Sequence, residues 1–262
     1  MFLDDQMGEA MRKIWTIITL ISLMLVPALS RGQDIQPRKL VDCPTAGLLP
    51  KGSFDLEVRA YSGGGLLAQA SVGLTDRLAM GLSFGGGNII GAGKIRWNPR
   101  PEAQIKYRLF EESPLWPAVA IGFDSQGYGS YSDSLERYEI KSKGAYGVLS
   151  KNYHLGGGPL GLHLGAYYSF EKKDGDDDLS FFLGLDKSLN EELSLVAEYD
   201  LALNDDRQNG VFGTGRGYLN MGLRWNIERR FFFELDLRNL TDNIENLSGF
   251  ARELRIVTLQ FF

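Results

Sequence analysis

The sequence predicts an all-β protein, a closed, antiparallel, up-and-down transmembrane β-barrel of about twelve strands. Three observations carry this prediction. Apolar residues alternate with polar or small ones along about twelve segments, as in strands whose two faces differ. Most segments are about ten residues long, the length a tilted strand needs to cross a bilayer. The connections alternate between short turns and long loops, which is the pattern of outer-membrane barrels.

Residues 1–30 have the features of a secretory signal peptide. Two basic residues precede an apolar run over residues 14–26, which is too short to span a bilayer. A small-x-small cleavage site follows and ends at Ser30. The ten residues before Met11 carry three acids, which do not fit a signal sequence, so we expect translation to start at Met11.

Residues 31–52 form a lead-in that we expect in the periplasm. It could enter the barrel as a plug or act as a tether, and the sequence favours neither. It contains Cys43, the single cysteine of the chain, which therefore has no partner for an internal disulfide. Asp42 directly before Cys43 argues against a lipid-modified cysteine.

Residues 53–262 form the predicted barrel domain. The alternation is clear near residues 229–239, where Phe233 and Leu235 interleave with Glu234 and Asp236. The predicted strands lie near 53–62, 66–74, 77–86, 101–110, 116–124, 144–153, 159–171, 179–188, 192–203, 217–227, 229–239 and 250–262.

The polar face of these strands is predicted to point into the lumen. A charge facing lipid at mid-depth costs a few kcal/mol, whereas opposite charges in a lumen can pair or reach water. Closure also leaves no strand edge open to lipid. We expect the following residues to line the lumen and to set its selectivity or seal it: Arg59, Lys106, Arg108, Glu198, Asp200, Arg224, Glu234, Asp236 and Arg238.

Aromatic residues collect beside the predicted turns and loops, as expected for girdles at the two bilayer interfaces. The chain ends in two phenylalanines, and outer-membrane barrels commonly close with such a strand, which the barrel-insertion machinery reads. Which of Phe261 and Phe262 faces lipid stays open. The expected membrane anchors are Trp116, Trp225, Phe231 and Phe262.

The sequence predicts no catalytic residue, metal or cofactor. It has two histidines, and His163 falls on the lumen face near a short turn, where a polar lining role is expected. The acidic stretch over residues 171–178 lacks the ligand spacing of an EF-hand and is read as a solvated loop. The net charge of -5 gives no indication of nucleic-acid binding.

Several stretches resemble the YjbH-like, exopolysaccharide-associated outer-membrane barrels. They are PTAGLLPKGSF, VGLTDRLAMGLSFGGGNIIG, PAVAIGFDSQGYG, YGVLSKNYHL and AEYDLALND, and they spread over most of residues 44–205. The resemblance implies an outer-membrane barrel tied to polysaccharide secretion. Full-length members of that family are much longer, and no site residue is carried over.

The leading hypothesis is a non-enzymatic protein of a Gram-negative-type outer membrane, either a narrow pore or an accessory to envelope-polymer export. Expected partners are outer-membrane lipid and lipopolysaccharide, the insertion machinery and polysaccharide export proteins. Two alternatives stay open. One is a lipid-modifying barrel enzyme that uses His163, and the other is a soluble periplasmic ligand-binding barrel.

Overall fold

The computed structural model describes residues 37–155, 158–206, 213–244 and 249–262. The predicted signal peptide and the first six residues of the lead-in lie outside these ranges. Among the described residues, no helix is long and apolar enough to span a membrane.

The described chain is almost entirely β-structure. Its strands are β1 (Ser53–Tyr61), β2 (Gly65–Thr75), β3 (Leu78–Gly87), β4 (Arg96–Trp97), β5 (Glu102–Phe110), β6 (Ala118–Asp124), β7 (Tyr128–Ser132), β8 (Arg137–Ile140), β9 (Gly144–Leu155), β10 (Gly158–Tyr168), β11 (Ser180–Ser188), β12 (Leu193–Asp200), β13 (Tyr218–Ile227), β14 (Phe231–Arg238) and β15 (Ala251–Phe261).

Twelve of these strands form a closed antiparallel barrel, so the predicted fold class is confirmed. Each barrel strand pairs with the next, and β1 pairs with β15 to close the wall. The closing register sets Ser53 opposite Phe261 and Arg59 opposite Arg255. Every predicted strand is present, with ends that differ by a few residues. The short strand β4 extends the wall at β3, and β7 and β8 form a separate hairpin.

The two faces of the wall have opposite character. On β14, Leu235 is 54% exposed, whereas Asp236 beside it is 1% exposed. Glu198 on β12 is likewise 1% exposed. Period-2 alternation therefore places leucines outside and ionisable groups inside, as a barrel in hydrocarbon requires. A soluble barrel would show the reverse arrangement.

The connections sort by length between the two ends of the barrel. Short turns join β2 to β3, β5 to β6, β11 to β12 and β13 to β14 at one end. At the other end long loops join β3 to β5, β6 to β9, β10 to β11, β12 to β13 and β14 to β15, and only the β1–β2 link is short. We call these the short-turn end and the long-loop end.

Two segments fill the lumen. Residues 37–49, from the lead-in, enter from the short-turn end, and residues 40–49 are buried throughout. Residues 125–143, which include β7 and β8, fold inward from the long-loop end; we call them the outer loop. The lead-in is therefore a plug, the first of the two possibilities that the sequence left open.

Candidate functional site

Residues 37–49 turn back on themselves inside the barrel, and we call them the inner hairpin. A β-bridge joins Lys39 to Pro44, and the Leu40 amide donates to the Cys43 carbonyl at 2.9 Å. Both ends lie near the short-turn end, since residue 50 leads into β1. The apex points toward the long-loop end.

The inner hairpin has an apolar side that matches an apolar patch of the lumen wall. Cys43 and Ala46 belong to a buried cluster with Val148 and Phe182. Small residues on this part of the wall provide the space for the hairpin. A Cβ on Gly184 would clash with Leu40 Cδ1 and would lie 2.8 Å from the Ala197 carbonyl oxygen, so glycine lets both the hairpin and the neighbouring strand approach closely. The lumen is thus only partly polar, contrary to the prediction of a polar lumen.

One carboxylate holds the apex through its backbone. Glu198 accepts hydrogen bonds from the amides of Val41 (3.0 Å), Asp42 (2.9 Å) and Cys43 (2.9 Å). Consecutive amides that converge in this way form an anion-binding nest. Bonds to a charged acceptor are stronger than neutral ones, and leaving these buried amides unpaired would be costly.

Three wall cations hold the carbonyls of the same segment. Lys106 Nζ donates to the carbonyls of Arg38, Thr45 and Gly47 at 2.6, 3.0 and 3.2 Å. The other two bonds converge on one residue: Arg224 Nη2 lies 3.2 Å and Arg255 Nη2 lies 2.8 Å from the Leu40 carbonyl oxygen. The wall therefore satisfies both the donors and the acceptors of the hairpin backbone.

The apex side chain closes a ring of four charges. Asp42 pairs with Arg59 at 2.8 Å and with Arg238, whose Nε donates at 2.9 Å. Glu253 joins the same two arginines on their other side, at 2.5 Å to Arg59 Nε and 2.6 Å to Arg238 Nη1. All four are buried, so each charge requires the others for compensation.

Nearer the short-turn end, two further ion pairs join the hairpin to β1. Arg38 pairs with Asp55, and Lys39 pairs with Glu57 at 2.9 Å. These acids alternate along the inner face of β1 and reach the hairpin strand that leads into the barrel.

The outer loop contacts the same four charged residues from the side of the long-loop end. The Tyr128 ring lies 4.5 Å from the Arg59 guanidinium and 4.9 Å from that of Arg238, both within cation–π range. Tyr128 is buried, and a cavity of about 10 Å³ adjoins it, enough for roughly one water molecule.

Ion pairs with neighbouring loops hold the outer loop over the lumen. Arg137 pairs with Asp174 at 2.6 Å and with Asp205 at 2.8 Å. Lys141 also binds Asp174, at 2.8 Å, and Lys143 pairs with Asp200. The acidic stretch is therefore not simply a solvated loop, because Asp174 acts as an internal anchor.

Glu171 adds a titratable contact to the outer loop. Its carboxylate accepts hydrogen bonds from the Ser142 amide at 2.7 Å and the Tyr138 amide at 3.4 Å, both in the outer loop. Burial raises the pKa of Glu171 to about 7, and the two amides and Arg137 oppose that rise only in part. The carboxyl group therefore titrates nearer to neutral pH than an exposed glutamate does.

All nine predicted lumen residues occupy inward positions of the register. Most are buried, and Arg108 lies at the short-turn rim, where its Nη2 donates to the Asp76 carbonyl at 3.1 Å. Sequence reasoning missed Arg255 and Glu253, whose alternation on β15 could have revealed them. It also missed the outer-loop cations, for which no periodic signal exists. Most of the predicted residues bind the inner hairpin or the outer loop, and their role in selectivity or sealing stays a prediction.

His163 belongs to a hydrogen-bonded chain across three strands. Ser150 Oγ lies 2.7 Å from His163 Nδ1, and His163 Nε2 lies 2.8 Å from Asp186 Oδ1. The order of groups is that of a serine hydrolase. However, the Ser150 oxygen accepts the Ala46 amide at 2.8 Å and faces the lumen under the hairpin, away from lipid. The hydrogen-bonded chain is therefore joined to the hairpin through Ser150.

The predicted membrane anchors lie at the short-turn end. Trp116 is 73% exposed and Trp225 is 48% exposed, while Phe231 is half-buried. The open question at the C-terminus is answered by the register: Phe261 is opposite Ser53 on the inner face, and Phe262 is 80% exposed.

A closed barrel with an apolar outer surface, a charged inner surface and aromatic residues at its rim defines an outer-membrane β-barrel. In this membrane the short-turn end is periplasmic and the long-loop end is extracellular. The inner hairpin and the outer loop occlude its lumen.

Comparison with solved structures finds similarity to porins and to an outer membrane channel at low identity. A KdgM porin aligns with a TM-score of 0.47 and 9% identity over 80% of this chain and 99% of the porin. A NanC porin aligns with a TM-score of 0.46 and 10% identity over 80% and 99%. The COG4313 outer membrane channel from Pseudomonas putida F1 has a TM-score of 0.41 and 14% identity, over 89% and 100%. No family model and no curated protein matches the sequence.

Proposed function

We propose that this protein is a non-enzymatic outer-membrane channel and that the inner hairpin is its gate. The observation that carries the proposal is the Glu198 carboxylate, which binds the consecutive amides of residues 41–43 inside the barrel. A channel with a permanent opening has no need for a dedicated backbone-binding site in its lumen.

The lumen is too full for a solute in this state. A cavity of about 30 Å³ lies between the hairpin and Lys106, which is room for about two water molecules. Passage of a sugar-sized solute or a polymer requires the hairpin to leave. The extracellular exit is covered by the outer loop, so withdrawal toward the periplasm is the simplest route.

Conductance across a planar bilayer tests the proposal. We expect the full chain to show small, infrequent currents, and Glu198→Gln to open more often because it removes the charge that holds the apex. Glu191→Gln, which changes an exposed turn residue, is the matched control. A large, steady current in the unmodified protein would contradict gating by the hairpin. Zero current in all three proteins would contradict a channel.

A role in exopolysaccharide export stays a prediction from the sequence resemblance. Within the proposed function it requires that a polymer or its export partner displace the inner hairpin. That role would be supported if a deletion strain lost its secreted polymer and the native protein restored it. A variant whose inner hairpin cannot leave the lumen should not restore it.

A further inference from the structure

The outer loop and the inner hairpin contact the same two side chains. Tyr128, from the outer loop, packs against the guanidinium groups of Arg59 and Arg238. Asp42, at the hairpin apex, forms ion pairs with those same groups. The two segments that occlude the lumen therefore share one pair of arginines.

We propose that the outer loop controls the hold on the inner hairpin, with Tyr128 keeping Arg59 and Arg238 in the geometry that binds Asp42. Displacement of Tyr128 at the extracellular end then loosens the hairpin and favours its withdrawal into the periplasm. This inference rests on the proposed function, since it takes the hairpin to be the gate.

The flexibility of arginine explains why packing of the Tyr128 ring helps to hold the ion pairs of Asp42. Each arginine has many rotamers, and the entropy lost in fixing one opposes its ion pair. Glu253 fixes one side of each guanidinium, at 2.5 Å on Arg59 and 2.6 Å on Arg238. The Tyr128 ring covers their faces. Without it, both groups gain room to turn away from Asp42.

The backbone around Tyr128 is built to place the ring in the lumen. Gly129 has a φ of 81°, a left-handed value that glycine adopts without strain. A Cβ on Gly127 would clash with the Tyr138 side chain, so the loop could not pack so closely there. Ion pairs of Arg137 and Lys143 hold the remainder of the loop in place. Displacement of the loop from these anchors therefore also displaces Tyr128.

Cys43 provides a native reporter of the hairpin. It is the single cysteine of the chain and is fully buried at the apex. A small maleimide therefore reacts only when the hairpin opens. The rate is measured on full-length protein refolded in detergent, and heat-dependent gel mobility verifies in each variant that the barrel is folded.

We expect Tyr128→Ala to accelerate labelling by about 3- to 10-fold, because it removes the cation–π contacts of the ring with both guanidinium groups. Tyr128→Phe keeps the ring and should change the rate less than about twofold. Tyr131→Ala is the matched control, because the Tyr131 ring packs on Tyr138 at 5.0 Å and not on the arginines.

A double-mutant cycle with Asp42→Asn gives the decisive comparison. Once Asp42 no longer binds the arginines, removing Tyr128 should have little further effect, so the double variant should label more slowly than the product of the single effects. The coupling would be overturned if the double variant labelled at the rate given by multiplying the two single effects. It would also be overturned if Tyr128→Ala labelled at the same rate as the native chain. If Asp42→Asn itself fails to accelerate labelling, the gate itself is contradicted.

Discussion

Asp42 and Arg238 form a buried ion pair although 196 positions of sequence separate them, with Arg238 Nε donating to Asp42 Oδ2 at 2.9 Å. The contact joins the segment before β1 to the last residue of β14. Asp42 also pairs with Arg59 on β1, and β1 closes the barrel against β15, so the two ion pairs of Asp42 span this seam. The inner hairpin is therefore part of the closed structure and not an appended tether.

Substitution of Asp42 should lower the stability of the barrel. Asp42→Asn leaves Arg59 and Arg238 with Glu253 as their one remaining acid in the ring, and breaking a buried pair costs on the order of 3 kcal/mol. Equilibrium unfolding in denaturant measures this difference. Asp133→Asn, in an exposed part of the outer loop, should have almost no effect. Equal stability of the two variants would contradict the role of Asp42.

Substitution of Glu198 should loosen the hairpin backbone. Glu198→Gln removes the charge, so the three apex amides, which all bind Oε2, keep only a neutral acceptor, and the new side-chain NH2 group meets the Asn220 Nδ2 donor; we expect a cost of about 1–3 kcal/mol. Amide exchange at residues 41–43 should then be at least about tenfold faster. Unchanged protection at these amides would show that Glu198 does not hold the apex.

A methyl group at Gly184 should push the hairpin away from the wall. Gly184→Ala places its Cβ against Leu40, and overpacking of a filled core costs about 1–3 kcal/mol. Cys43 should become more reactive as a result. Gly147→Ala is the control, because its Cβ would meet open space. Equal reactivity in the two variants would place Leu40 elsewhere.

Substitutions in the hydrogen-bonded chain of Ser150, His163 and Asp186 should loosen the inner hairpin and leave the membrane lipids unchanged. Ser150→Ala leaves the buried Ala46 amide unpaired, at about 1–3 kcal/mol, and His163→Ala should act in the same direction by releasing the serine hydroxyl. Both should increase Cys43 reactivity. Lipid A and phospholipid patterns should match the native strain; a changed pattern in either variant would favour the lipid-modifying enzyme.

The outer loop should be held more tightly at low pH. Because the folded-state pKa of Glu171 is raised from 4.5 to about 7, the folded loop binds more protons than the open loop between these values. Protection therefore falls as pH rises from 4.5 to 7. After correction for intrinsic exchange, the Tyr138 and Ser142 amides should lose about tenfold or more in protection. Glu171→Gln should remove this dependence, whereas the exposed Glu136→Gln should retain it.

The barrel wall could be predicted because its signal is local. Each strand carries its own period-2 pattern, which the bilayer imposes, since lipid-facing and lumen-facing environments differ so strongly. The alternation of Leu235 with Asp236 is an example, and both side chains lie where it predicts. Loop lengths likewise follow directly from strand positions.

The contents of the lumen could not be predicted, because their contacts are distant in sequence and have no periodic pattern. Wall charges such as Glu198 and Arg238 look alike in sequence whether they line a pore or bind a segment. Small residues on the inner face, such as Gly184, have low strand propensity in the sequence. In the structure Gly184 provides the space for Leu40. Tyr128 falls in a loop that the sequence marks only as long and polar.

The reactivity of Cys43 in the unmodified, folded protein is the sharpest check that the inner hairpin occupies the lumen, because the thiol lies beside the apex of this hairpin. With the hairpin inside the lumen, a small maleimide should react roughly a thousandfold more slowly than in denaturant, which corresponds to an opening free energy of about 4 kcal/mol. Equal rates in the folded and unfolded protein would place residues 37–49 outside the barrel and contradict the account.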